Sequence, residues 1–106
     1  MNLNSIIRKV KKETKVIVSQ RCSEMFDVIC YGSVHIDAGL LVILIAVRTD
    51  EIKSRLALDS EMNSLIRESL VRNGYPASAI DNVIIWVESQ ETVDRESHGD
   101  WHIHRS

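Results

Sequence analysis

Three of the four histidines fall in the last nine residues, as His98, His102 and His104, with Asp100 between them. In an extended segment, side chains two apart share a face at roughly 6.5 to 7 Å, so these four would line up opposite Trp101 and Ile103. Two imidazoles at that spacing reach one metal ion, and a carboxylate is an acceptable third ligand for zinc. Against a metal site stands Gly99, which places a turn between His98 and the rest, and zinc enzymes draw their ligands from separate rigid elements. The expectation is a polar strand face, with neither metal nor cofactor.

The remaining candidates for chemistry are thinner. Glu88 and Glu91 form a carboxylate pair, but hydrolysis needs a cleft and a raised pKa on one of them, which the sequence does not announce. Ser33 and His35 lie two apart with Asp37 following, whereas a nucleophile, its base and the orienting acid come from separate parts of a fold. Four glycines and no GxGxxG or GxxxxGKS pattern speak against a phosphate-cradling nucleotide fold. No enzyme is expected.

The elements that would position these residues follow from periodicity. Ile6, Ile7, Val10, Thr14, Ile17 and Val18 recur at three- and four-residue spacing, which predicts an amphipathic helix over 4–20 capped by Asn4 or Ser5. From Phe26 the period is two, a strand, followed after an Asp37-Ala38-Gly39 turn by the apolar run Leu40 to Val47, suited to a central strand. A polar link containing Lys53 and Arg55 leads to a second helix, capped by Asp59 or Ser60, striped with Met62, Leu65, Ile66 and Leu70, and closed by Asn73-Gly74. A helical turn over 76–80, a third strand "NVIIWVES", a short turn capped by Ser89 and a last strand from Asp100 to Arg105 complete the order α-β-β-α-β-β. The predicted fold class is α+β, a mainly antiparallel sheet with two helices packed on one face. An unprotected last strand would offer an edge for pairing with a second copy as a homodimer.

At 106 residues, 44% of them apolar and 26% charged, the chain is one ordinary globular domain, 1–106. Its longest apolar run is far short of the roughly 20 residues a membrane helix needs. The charged N-terminus has no secretory apolar stretch, so a cytoplasmic bacterial protein with no membrane partner is expected. Cys22 and Cys30 read as buried or semi-buried free thiols.

Charge is unevenly distributed. Residues 1–21 carry Arg8, Lys9, Lys11, Lys12, Lys15 and Arg21 against Glu13 alone, while 81–100 carry Asp81, Glu88, Glu91, Asp94, Glu96 and Asp100 against Arg95 alone. The basic helix could neutralise several phosphates, yet the chain is acidic overall at −2, has five aromatic residues and shows no RNA-recognition signature. Nucleic acid is the alternative partner, not the main one. Trp86 and Tyr75 are the aromatics to watch for binding. If Trp86 lies on the sheet face away from the helices, it anchors an acidic protein-binding surface.

The segment "NGYPASAIDNVIIWVESQETVDRESHGDWHIHR" resembles small α+β bacterial immunity proteins of toxin systems, including contact-dependent growth inhibition. The resemblance rests on its Gly-Tyr-Pro turn, on Ser89, Glu91 and Val93 as S-x-E-x-V, and on Gly99 and Trp101 as G-x-W. It covers about a third of the chain, and Asp100 stands where the pattern more often has asparagine. It implies a non-catalytic inhibitor that binds a cognate toxin, with a cationic nuclease cleft as one target. Trp86, Glu88, Glu91, Asp94, Glu96, Asp100, His102 and His104 are then the candidate partner contacts.

Overall fold

A computed structural model describes residues 2–105. Helix α1 (Leu3–Ser19) begins at Asn2, whose side chain accepts the Ser5 N–H, and it buries Val10, Thr14 and Val18. Strand β1 (Asp27–Tyr31) is followed by a 3-10 turn at Ala38–Leu40, where the Asp37 side chain accepts the Gly39 N–H. Strand β2 (Val42–Val47) is central and almost wholly buried, as its unbroken apolar run requires.

The stretch expected as a polar link is a helix, α2 (Asp50–Ala57). Thr49 caps it, Asp50 and Glu51 sit favourably in its first turn, and Ile52 and Leu56 point into the core. Helix α3 (Ser60–Arg72) starts at the predicted Asp59 cap and ends where Gly74 takes φ +84°. Helix α4 (Ala77–Ile80) is the expected short turn. Arg67 of α3 pins it, donating to Ile80 O at 2.7 Å and to Val83 O at 3.0 Å.

Strand β3 (Ile84–Ser89) returns beside β2, but parallel to it. The sheet is therefore mixed, with order β1-β2-β3: β1 pairs antiparallel with β2 and β3 pairs parallel with it. The predominantly antiparallel sheet predicted from sequence is corrected on this point, because three helices separate β2 from β3 and a helical crossover returns a strand in the same direction. Helix α5 (Gln90–Ser97) follows, capped by Ser89. The predicted last strand is also corrected: 101–105 forms a short helix, α6 (Trp101–Arg105).

The result is an α+β domain with a three-stranded mixed sheet and six helices among the described residues. One sheet face carries Val28, Ile43, Ile45 and Val87, which share a buried cluster with Val10 and Val18 of α1 and Met62, Ile66 and Leu70 of α3. The other face carries Ile29, Leu44 and Trp86 in register, with Tyr31 two residues along on the same face, and α6 lies on it. The radius of gyration of 13.6 Å matches the ~13 Å expected for a folded chain of this length. Among the described residues no helix is long and apolar enough to cross a membrane.

Candidate functional site

His98 and Gly99 determine where the C-terminal segment goes. His98 takes the left-handed conformation (φ 52°) and Gly99 follows at φ 79°, with its N–H donating to Val93 O at 3.1 Å. This closes α5 and reverses the chain. Asp100 then accepts the N–H groups of His102 and Ile103 at 2.9 and 3.2 Å, which starts α6. On a helix, residues two apart point in different directions, so His102 is exposed while His104 turns onto the sheet. The alternating metal-binding face does not form. Among the described residues no three His, Cys, Asp or Glu side chains gather as metal ligands.

His104 has a defined environment. Its ring stacks on Trp86 at 5.7 Å and 19°, its Nε2 lies 2.7 Å from Glu88 Oε2, and its Nδ1 lies 2.9 Å from Ser97 Oγ. Glu88 is only 4% exposed, so it does not belong to an exposed acidic surface. Burial pushes its carboxyl up, but Lys53 Nζ at 2.6 Å, His104 and the Ser89 N–H together hold it below the usual carboxylate range. The atoms of Ser97, His104 and Glu88 are ordered like a nucleophile, base and acid. Ser97, however, is 6% exposed at the end of α5 where carbonyls, not N–H groups, are unpaired, and it lines neither described cleft. The arrangement fastens α6 to the sheet.

A second polar cluster ties α2 to α5. Asp50 accepts Ser89 Oγ at 2.5 Å, Thr92 Oγ1 at 2.7 Å and Arg95 at 3.0 Å, while Glu91 accepts the Asp50 N–H at 2.7 Å. The start of α2 is thus satisfied by an acidic residue of α5, while Asp50 in turn holds the Ser89 and Thr92 hydroxyls at the start of α5, whose Thr92 N–H is capped by Ser89 Oγ. The hydroxyls of Ser89 and Thr92, then Arg95, hold the Asp50 carboxyl down at about 2.

The larger of two clefts among the described residues, about 750 Å³, opens at the ends of β2 and β3. Phe26, Ile29, Ala46 and Val47 give it an apolar lining, and Asp27, Glu91 and Asp94 bring three carboxylates to it. Trp101 lines it as well, with its indole N–H donating to Gln90 Oε1 at 2.7 Å while Gln90 Nε2 donates to Asp94 Oδ1 at 2.8 Å. Asp27, Glu91 and Asp94 are exposed, and among the described residues none of them is in an ion pair.

The predicted partner contacts therefore divide. Glu91 and Asp94 meet at the cleft, and Glu96, Asp100 and His102 are exposed beyond it on α5, the α5–α6 turn and α6 respectively. Trp86 and Glu88 form the support on which His104 of α6 rests. Tyr75 is a core residue, 3% exposed, with its hydroxyl donating to Ala38 O at 2.5 Å. Ser33, His35 and Asp37 are all exposed, and Asp37 serves as the cap of the 3-10 turn. Sequence reasoning missed Asp27, Gln90 and Trp101 as cleft residues. The four-residue spacing of Gln90 and Asp94 was the available signal.

Compared with known proteins, the chain matches no family model, no curated protein and no solved structure.

Proposed function

We propose that this chain is a non-catalytic binding protein that neutralises a cognate bacterial toxin domain by covering it with the acidic face around the cleft. One observation carries the reading: three exposed carboxylates converge on an apolar-lined cleft with no cation paired to them among the described residues. Unpaired carboxylates beside apolar surface are poised for a cationic protein partner, which they would steer to this face. The resemblance of the C-terminal third to immunity proteins supports the same class. Its motif residues also shape the fold here: Ser89 caps α5, Glu91 accepts the Asp50 N–H in the first turn of α2, Val93 is fully buried and Gly99 makes the reversal.

A second reading rests on α1, where Arg8, Lys9, Lys12 and Lys15 are exposed and none is in an ion pair among the described residues. That face suits nucleic acid. The test is growth. The 3′ end of the reading frame directly upstream is expressed alone and with this protein. Arrest relieved by co-expression supports neutralisation, and arrest that persists refutes it for that toxin.

A further inference from the structure

Resting on that reading, we infer that the cleft between β1, the ends of β2 and β3, and α5 is a receptor for an arginine side chain presented by the partner protein. The volume of about 750 Å³ exceeds one side chain and lies within the ~300 to 1,000 Å³ of binding clefts. It therefore admits an arginine together with its flanking residues.

Three features choose a guanidinium. Asp27, Glu91 and Asp94 outnumber the one cation lining the cleft, Arg48, which is itself exposed and in no ion pair among the described residues. The local balance is negative. One oxygen of each carboxylate is already committed, Asp27 to the Val28 N–H at 2.8 Å, Glu91 to the Asp50 N–H and Asp94 to Gln90. The groups are thereby held in place while their second oxygens face no donor among the described residues. Trp101 has its indole N–H occupied by Gln90, so what its ring offers a ligand is its π surface. A planar, weakly hydrated guanidinium stacks on such a ring and bonds to carboxylates better than a compact, strongly hydrated ammonium does.

The test is an amide NMR titration of the full chain with acetyl-Gly-Arg-Gly-amide, run beside the lysine and glutamate tripeptides. Saturable shifts are expected at the cleft residues and at the Trp101 indole N–H, stronger for arginine than lysine and absent for glutamate. The Asp27→Asn, Asp94→Asn double variant should weaken binding roughly tenfold. Its asparagine oxygens still accept the Val28 and Gln90 donors, and unchanged shifts elsewhere verify its fold. Arg48→Gln should tighten binding, a gain that general damage cannot mimic. No saturable shift at the cleft, an equal response to glutamate, or undiminished affinity in the double variant overturns the assignment. Failure of the wild-type chain to relieve growth arrest would instead remove the neutralisation reading and leave the titration result standing.

Discussion

Glu88 is the residue whose role changes most between sequence and structure. Alternation along "NVIIWVES" places it opposite Val87 among other acidic residues, which reads as surface. Its partner Lys53 comes from 35 positions earlier, on a helix whose sequence reads as a polar link, so nothing local reveals the pairing. Removing one member of a buried ion pair leaves the other without compensation. Glu88→Ala should cost about 2 to 4 kcal/mol in urea unfolding, less than a fully enclosed pair because Lys53 stays partly solvated; a loss under ~0.5 kcal/mol would show the pair to be a surface contact. Acid should act through the same chemistry. Glu13, Asp50, Asp59 and Glu88 all lie below their ordinary values in the folded chain, so the unfolded state binds more protons as pH falls. Their stabilisation is present above the unfolded pKa and is lost as pH drops through the folded one. For Asp50 that window runs from 3.8 to about 2. Asp50→Asn should flatten the decline of the thermal midpoint within it, and an unaltered slope would remove Asp50 from the account.

At the scale of elements, residues 101–105 show what periodicity does not decide. Polar His102 and His104 alternating with Trp101 and Ile103 fit a strand, but a helix of the same length permits the same pattern. A strand needs a free neighbouring edge; the reversal at His98 and Gly99 instead sends the segment across the sheet face, where local hydrogen bonds must satisfy its backbone. Asp100 begins that helix, and so short a helix has no stability of its own. It persists because His104 packs on Trp86, Arg105 lies over the Tyr31 ring at 5.1 Å and Trp101 bonds to Gln90. His104→Ala removes the stack and strips Glu88 of one partner, at about 1 to 3 kcal/mol. The α6 amides should then exchange faster with solvent while those of β2 stay protected; protection lost equally in both would mean that α6 is part of the global unfolding unit. By contrast, the caps at Asp59 and Ser89 and the stop at Asn73-Gly74 were legible, since each is a local side-chain or backbone preference.

For the whole molecule, the decisive feature is the parallel pairing of β2 with β3. The helical crossover carries the chain back so that both strands end together, and the starts of α2 and α5 converge there with Asp50 and Glu91 interlocked. Crevices at the carboxyl ends of parallel strands are recurrent binding positions, and here one is rimmed by acid. Helix α1 packs on the opposite sheet face, and none of its residues lines the cleft. The charge asymmetry seen in the sequence is therefore also a separation in space, which composition alone could not establish. Two faces of opposite sign can be tested apart. Lys11, Lys12 and Lys15 replaced together by alanine should leave relief of growth arrest intact, because α1 does not reach the cleft. Asp27 and Asp94 replaced by lysine should abolish relief and flatten the salt dependence of partner association, since the steering charge is reversed at the contact itself. The reverse outcome, relief lost with the lysines and kept with the reversed aspartates, would move the functional surface to α1 and make nucleic acid the partner to pursue.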